Sequence, residues 1–212
     1  MKILLIGYLN PHFKNTTVYR LNALHELGHE TIFFNDRDYM IPGRLRDQYS
    51  VLQRWDSRRL NRNIVKKVFM EKPDVCLVIG GYEIHPETLK QIKSFGTKLI
   101  LRTTNVPIDF SNIFRTVGLY DHVFCSGTEA EKILHKQGIC NVEWLPYACD
   151  PKYHHPVELT LKEKKIYARD ISFVGSFYSN RETTLSAVSD FKIGVWGPYW
   201  NNIDKSSSLR GK

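Results

Sequence analysis

The stretch Lys2-Ile-Leu-Leu-Ile-Gly7, followed by Thr16–Leu27 and by Glu30-Thr-Ile-Phe-Phe34, decides the fold of this chain. The first run is short and apolar and ends in glycine, which predicts a buried strand. Apolar residues then recur at helical spacing as far as Gly28, where we expect the helix to end. A strand, a helix and a second strand in this order predict a β–α–β unit whose two strands lie parallel.

The same alternation continues outward to the middle of the chain. We expect helices at Tyr49–Glu71, at Pro86–Phe95 and from a capping box at Ser126–Glu129 to Gly138. We expect strands at Asp74–Ile79, Lys98–Leu101, Asp121–Cys125 and Asn141–Leu145. This order predicts an α/β fold with a Rossmann-like, doubly wound parallel sheet covered on both faces. Such sheets bind their ligands at the carboxyl ends of the strands.

A change of composition after Pro146 indicates two domains. Residues 1–150 form the first domain and residues 151–169, with their prolines, histidines and lysines, predict a linker. A strand at Asp170–Val174, a helix near Arg181–Ser189 and a strand at Phe191–Trp196 then repeat the β–α–β order. Residues 170–212 are therefore expected to be the beginning of a second Rossmann-like domain, which is incomplete at Lys212.

The composition is that of a soluble globular protein. Of 212 residues, 42% are hydrophobic and 25% are charged, which excludes intrinsic disorder as the main state. No apolar run approaches the ~20 residues of a membrane span, and the first residues lack the features of a signal peptide. The cysteines form no C-x-x-C pair, so we expect a cytoplasmic protein with four free thiols: Cys76, Cys125, Cys140 and Cys149.

The chain carries a net charge of +8, and the segment Arg37–Lys72 supplies most of it, with ten basic and four acidic residues. Such a segment attracts anionic lipid, nucleic acid or a phosphorylated substrate, or else forms the solvated face of an amphipathic helix. No zinc finger, RNP-type aromatic motif or basic zipper accompanies the charge, so we expect no nucleic acid partner. An anionic membrane surface remains a candidate, with the protein bound peripherally.

Several common motifs are absent. The first strand ends at Gly7 without the further glycines of G-x-G-x-x-G, so binding of NAD or FAD in the usual manner is not expected. A P-loop, G-x-S-x-G and H-E-x-x-H are also missing. Asp36-Arg-Asp38 has the D-x-D spacing that can hold a divalent metal on a nucleotide diphosphate. A solvated loop is the favoured interpretation of this segment. A carboxylate that contacts a ribose hydroxyl is a further alternative.

Polar residues follow three of the expected strands. His12 can act as a general base on a hydroxyl nucleophile, or it is a loop histidine without a role. Glu83, after the Gly80-Gly81 pair, is a base, a ligand of a sugar hydroxyl or a carboxylate at a helix entry. Thr103, Thr104 and Asn105 suit a hydroxyl-rich ligand, although turns at strand ends use the same residues.

In the second domain, Gly175 and Ser176 end a strand, and Arg181 follows in the next helix. Backbone donors, a helix N-terminus and a guanidinium together make a site for an anion such as a diphosphate. A plain turn with a surface arginine is the alternative.

These segments, taken in order, resemble the CgeB-like (spore-maturation) glycosyltransferases. The residues that carry the resemblance are Lys2–Gly7, Leu27–Glu30, Trp144–Pro151, Phe173–Ser176 with Arg181, and Val195–Trp200. The resemblance covers essentially the whole chain but only the first part of the family pattern. The later segment, with the acidic residue that holds the donor ribose, is not present before Lys212.

The resemblance implies a GT-B fold and transfer of a sugar from a nucleotide-sugar to a hydroxyl acceptor, once the donor domain is complete. It implies acceptor contacts from the loops Gly7–His12, which includes Tyr8, Gly81–Glu83 and Thr103–Asn105. His12 and Glu83 are the catalytic candidates within these loops. Gly175, Ser176 and Arg181 would approach the donor diphosphate, and no metal or other cofactor is expected. The alternative is a non-catalytic Rossmann-like module that uses the basic helix to bind an anionic partner or membrane surface.

Overall fold

The structure is a computed structural model that describes residues 1–12, 14–103 and 111–211, with only the backbone described for 111–113. The chain divides into two compact units, Met1–Asp150 and Pro151–Lys212. Each unit is built around its own parallel sheet and its own hydrophobic core. No helix among the described residues is both long enough and apolar enough to cross a membrane.

The first unit alternates strands and helices. Its strands are β1 (Lys2–Gly7), β2 (Glu30–Asn35), β3 (Val75–Ile79), β4 (Lys98–Thr103), β5 (His122–Cys125) and β6 (Val142–Trp144). Its helices are α1 (Thr16–Glu26), α2 (Gly43–Gln48), α3 (Ser50–Glu71), α4 (Pro86–Ser94), α5 (Ser111–Thr116) and α6 (Thr128–Lys136), with a 3-10 turn at Val117–Leu119. The short helices α2 and α5 are not among the helices expected from the sequence.

The six strands form one parallel sheet in the order β2-β1-β3-β4-β5-β6. This confirms the predicted α/β, Rossmann-like sheet. Strand β2 is added to the sheet on one side of β1, and β3 and all later strands are added on the other side. Because crossovers between parallel strands are right-handed, α1 lies on one face of the sheet and α3, α4 and α6 lie on the other. The direction of winding changes between β1 and β3, which is where such sheets bind ligands.

The main core lies between the sheet and the helices α3, α4 and α6. Alternate strand positions and one stripe of each helix supply it: Leu4, Ile6, Cys76, Val78, Leu99, Leu101, Val123 and Cys125 from the strands, and Ile64, Val68, Leu89, Ile92, Ala130 and Leu134 from the helices. Each fully buried aliphatic side chain of this kind contributes about 1.5–3 kcal/mol. All four cysteines are free, two of them in this core.

One predicted helix start is wrong in detail. Helix α6 has Gly127 at its N-cap, with no side-chain cap, so the expected capping box does not form. Ser126 follows β5, and its hydroxyl donates to the carbonyl of Thr103 on the neighbouring strand β4, at 3.2 Å. The Ser126 hydroxyl therefore bonds to strand β4 and not, as the local pattern predicts, to the first turn of α6.

The second unit contains α7 (Leu161–Tyr167), β7 (Ile171–Val174), α8 (Ser179–Ser186) and β8 (Ile193–Trp196), with a 3-10 turn at Trp200–Asn202. Strands β7 and β8 pair in parallel, with Ile171 opposite Ile193. Helix α7 lies inside the segment predicted to be a linker and begins with a capping box of Thr160 and Glu163. The buried core of the unit consists of Leu185, Ile193, Ile203 and Leu209.

Candidate functional site

Glycines form the floor of the candidate site, where β1 and β3 end. Gly80 and Gly81 both have positive φ angles, +83° and +75°, which non-glycine residues rarely adopt. A Cβ atom on Gly81 would also lie 3.0 Å from Leu101 Cδ1 and 3.1 Å from the hydroxyl of Tyr120. The backbone therefore turns sharply here and packs directly against the core.

Asp36 is the most unusual charged group at this edge. It directly follows β2, only 6% of its surface is exposed, and its amide donates to the carbonyl of Gly7 at 3.0 Å. Its Oδ1 is buried and has no hydrogen-bond partner among the described residues, and the nearest cation is Arg37 Nε at 3.9 Å. Burial raises the pKa of Asp36 to about 6; the charge of Glu83 adds to the increase, and Arg37 opposes it.

The interpretation of Asp36-Arg-Asp38 as a solvated loop is correct for Asp38, which is exposed, and wrong for Asp36. Asp36 directly follows the edge strand β2, and the D-x-D pattern does not reveal that it is buried. Among the described residues, no group of three His, Cys, Asp or Glu side chains is placed to hold a metal ion.

Glu83 lies beside Asp36 and is held in place by Tyr39. The Tyr39 hydroxyl bonds to the Glu83 carboxylate, and the pKa of this phenol is raised, mainly by burial and then by that hydrogen bond. The guanidinium of Arg46 stacks on the Tyr39 ring, 3.6 Å from its centroid. Two carboxyl groups from different loops therefore lie near enough at the carboxyl end of the sheet for the charge of Glu83 to raise the pKa of Asp36.

Helix α3 fixes one of the two loops through Asp56, which is fully buried. Its carboxylate accepts hydrogen bonds from the amides of Met40 and Ile41, at 3.1 and 2.9 Å, and from Arg59 Nε at 3.1 Å. Burial favours the neutral acid, but these hydrogen bonds outweigh it and lower the pKa of Asp56. The loop that contains Asp36 and Tyr39 is thus tied to the helix.

The same helix fixes the other loop through Asn61, a buried residue one and a half turns further on. Its Nδ2 donates to the carbonyl of Glu83 at 2.8 Å, and its Oδ1 accepts from the amide of His85 and the hydroxyl of Thr88, both at 2.8 Å. Neither Asp56 nor Asn61 was identified from the sequence. The only available signal was a short polar side chain on the apolar stripe of a helix.

The other candidate residues of the first unit lie at different depths around this edge. Thr103 is completely buried at the end of β4, and Tyr8 is 38% exposed after β1. His12 is exposed, and its amide donates to Asn10 Oδ1 at 2.8 Å. Gly7, Gly81, Glu83 and Thr103 therefore share the carboxyl edge of three adjacent strands. Thr104 and Asn105 lie outside the described residues.

In the second unit, Gly175, Ser176 and Arg181 form one turn. The Gly175 amide donates to the carbonyl of Trp196, at 2.8 Å, so this donor is already used. Arg181 Nη1 donates to the carbonyl of Ser176 at 2.7 Å, and the guanidinium lies 4.8 Å from the centroid of the Tyr178 ring. An anion at this turn would meet the outer side of the Arg181 guanidinium and the first turn of α8.

Neither a protein-family model nor a curated protein sequence matches this chain. Solved structures do match. The S. aureus MnaA–UDP co-structure has a TM-score of 0.53 and 14% identity and covers 92% of this chain. A structure described as trehalose-6-phosphate from E. coli bound with UDP-2-fluoro glucose has a TM-score of 0.59 and 13% identity, over 92% of this chain. The glycotransferase of kitacinnamycin has a TM-score of 0.55 and 10% identity, over 97%.

These likenesses show a fold of the GT-B type, with Rossmann-like parallel sheets. The chain spans 60%, 64% and 68% of the length of the MnaA, E. coli and kitacinnamycin proteins, respectively. At such low identity the comparison is one of folds.

Proposed function

We propose that the chain belongs to a glycosyltransferase of the GT-B type, in which the first unit binds a hydroxyl acceptor and the second unit binds a nucleotide-sugar. The fold supports this proposal, and two of the similar structures contain UDP or UDP-2-fluoro glucose. The observation that carries it is the buried carboxyl group of Asp36, whose Oδ1 has no hydrogen-bond partner among the described residues and whose pKa is raised in part by the charge of Glu83, at the carboxyl edge of the sheet.

Transfer of a sugar to a hydroxyl requires a group that takes up a proton. The hydroxyl oxygen of the acceptor forms a bond to the anomeric carbon, and the bond from that carbon to the diphosphate breaks, leaving its electron pair on the diphosphate. The hydroxyl proton moves to a carboxylate. A carboxyl group with a pKa of about 6 is ionised at neutral pH and is a stronger base than an ordinary aspartate. We assign this role to Asp36, with Glu83 as a ligand of the acceptor and His12 as the alternative base.

On the donor side, the proposal retains Gly175, Ser176 and Arg181 as contacts of the diphosphate. The leaving diphosphate gains negative charge, which a guanidinium and the N-terminus of α8 stabilise. Gly7, Tyr8, Gly81 and the Thr103–Asn105 segment are proposed acceptor contacts. No metal or other cofactor is part of this mechanism.

The proposal is tested by calorimetric titration with UDP and GDP and by measuring release of nucleoside diphosphate from nucleotide-sugars. We expect Asp36→Asn and Glu83→Gln to reduce turnover by about 100-fold or more while leaving UDP affinity unchanged. Asp38→Asn is the matched control, since it removes the exposed acid of the same D-x-D. We expect Arg181→Ala to weaken UDP binding. Absence of binding to every nucleoside diphosphate tested would contradict the proposal.

A specific surface favours a second function, binding to an anionic membrane. Arg54, Arg58 and Arg62 are spaced four residues apart along α3 and, with Trp55, line a groove of about 820 Å³ between α3 and α4. Among the described residues, none of these three arginines forms an ion pair, whereas Arg59 is bound to Asp56. Trp55 is 45% exposed. An exposed tryptophan beside basic side chains is typical of surfaces that enter the headgroup region of a membrane.

Vesicle sedimentation tests this second function. We expect the chain to bind vesicles that contain phosphatidylserine, and the triple variant Arg54→Glu, Arg58→Glu, Arg62→Glu to lose this binding. Lys90→Glu, Lys132→Glu, Lys136→Glu makes the same change of net charge on the exposed surfaces of α4 and α6 and is the control. Equal binding by both triple variants would show that only the net charge matters and would exclude a specific surface.

A further inference from the structure

Arg102 is a buried cation on strand β4. Only 5% of its surface is exposed, and its guanidinium makes two long hydrogen bonds, to the carbonyls of Thr103 and Pro146 at 3.5 and 3.4 Å. No carboxylate among the described residues pairs with it. The ring of Tyr147 lies 5.6 Å from the guanidinium carbon. Burial lowers the pKa of Arg102, because few groups around it compensate the charge.

Arg20, on α1, is a second cation in the same region. Its Nη1 is buried and has no hydrogen-bond partner among the described residues. Its pKa is lowered by burial and, next, by the positive charge of Arg102, so the two guanidinium groups lie close enough to repel each other. Helix and strand thus bring two like charges together on the face of the sheet that α1 covers.

The position of this pair connects it to the candidate site. Arg102 is level with Ile79 in the neighbouring strand β3, and its carbonyl accepts a hydrogen bond from the Gly80 amide, at 3.0 Å. Gly80 begins the turn that leads to Glu83. A ligand held by the arginine pair would therefore lie next to the carboxyl end of β3.

Arg102 and the Nη1 atom of Arg20 are buried, and among the described residues no acidic side chain pairs with either guanidinium. Such positive charge is costly to bury, and an anion between the two groups reduces the cost. A guanidinium donates two parallel N–H bonds to a phosphate or a carboxylate. Two cations match the charge of a phosphate monoester, which is about −1.5 to −2 at pH 7, better than the single charge of a carboxylate. The diphosphate of the donor has its own proposed contacts, at Arg181 in the second unit.

We propose that Arg20 and Arg102 form a binding site for the phosphate monoester group of the acceptor, so that the acceptor is a phosphorylated alcohol or sugar. The identification of this ligand as the acceptor rests on the proposed glycosyltransferase function, whereas the anion site itself does not. A soluble sugar phosphate and a lipid phosphate share the recognised group.

Calorimetric titration of the whole chain tests this site, with inorganic phosphate, glucose 6-phosphate, a short-chain phosphatidic acid, acetate and UDP as probes. We expect a phosphate monoester to bind and acetate to bind at least tenfold more weakly. Arg20→Gln and Arg102→Gln should each lower the affinity for the monoester by about 10- to 100-fold, which corresponds to the loss of one or two charge-assisted hydrogen bonds. The affinity for UDP should be unchanged. Arg44→Gln, at an exposed position on α2, is the control.

Arg102→Gln can also weaken the fold, because Arg102 contacts the Pro146 carbonyl. Arg20→Gln keeps the test decisive, since within the described part of the chain Arg20 Nη1 makes no hydrogen bond that the substitution would remove. Whichever phosphate monoester binds identifies the soluble or the lipid source. The inference is overturned if no phosphate monoester binds, or if one binds equally to wild type and Arg20→Gln. Loss of UDP binding with phosphate binding intact would instead contradict the proposed transferase.

Discussion

A buried carboxyl group that lacks hydrogen-bond partners lowers the stability of the folded chain when it is ionised. Asp36 is buried, and its Oδ1 has no such partner in the described part of the chain. Its pKa in the folded protein, about 6, lies above its ordinary value of 3.8. The neutral acid therefore favours folding, and the contribution of Asp36 to stability falls as the pH rises from about 4 to about 6. Groups held at such a cost are found where chemistry requires them.

We predict that Asp36→Asn stabilises the protein at pH 8, by about 2–3 kcal/mol at most for a shift of roughly two pKa units. The gain should disappear near pH 4, where Asp36 is itself protonated. Urea unfolding of both proteins at the two pH values measures this. Asp38→Asn, on the exposed side of the same loop, should change neither value. An Asp36→Asn protein of equal or lower stability at pH 8 would contradict the burial of an uncompensated charge.

At the scale of one element, α3 determines where both acidic loops lie. The stretch from Asp56 to Asn61 bonds to the backbone at Met40 and Ile41 on one side and at Glu83 and His85 on the other. The exposed face of the helix carries the basic residues, and the buried face carries these two polar anchors. One helix therefore both shapes the candidate site and forms the basic groove.

We predict that Asn61→Ala lowers the free energy of unfolding by about 2–4 kcal/mol, because the Glu83 carbonyl, the His85 amide and the Thr88 hydroxyl lose a buried partner. Asn63→Ala, two residues further along the same helix, should stay within about 0.5 kcal/mol of wild type. Denaturant unfolding of the two variants gives the comparison. If both variants lost the same free energy of unfolding, the loss would come from the helix itself and not from the loop that Asn61 anchors.

At the scale of the whole molecule, the two units differ in the size of their cores. The first has a six-stranded sheet with helices on both faces, and the second has two paired strands and four buried hydrophobic side chains. A two-stranded sheet with a small core is only marginally stable in water. Residues 151–160, between Asp150 and the start of α7, are all exposed and contain no helix or strand.

We predict that brief digestion with trypsin or chymotrypsin first cuts within residues 151–160 and leaves a resistant fragment of about 150 residues that begins at Met1. Mass spectrometry of the digest identifies the ends of the fragment. First cuts inside the strands of the six-stranded sheet would contradict a first unit that is folded as one body.

Local patterns determined most of the fold. The strand and helix order could be predicted, because apolar runs and helical spacing in segments such as Lys2–Gly7 and Ser50–Glu71 are local properties. The floor of the candidate site could also be predicted, since a Gly80-Gly81 pair after a strand requires a sharp turn. The capping box at Ser126 could not, because a neighbouring strand competes for its hydroxyl.

The sequence by itself determined a parallel α/β sheet, the sheet edge at which a ligand is expected and the basic character of α3. Only the tertiary structure decided that Asp36 is buried, with no hydrogen-bond partner for its Oδ1 among the described residues. It also decided that Asp56 and Asn61 hold the two loops, and that Arg20 lies near enough to Arg102 for the two charges to repel each other. These residues lie 15 to 82 positions from the groups they affect, so no local spacing reveals them. Burial and the approach of charges depend on which strands become neighbours, and the fold alone sets that order.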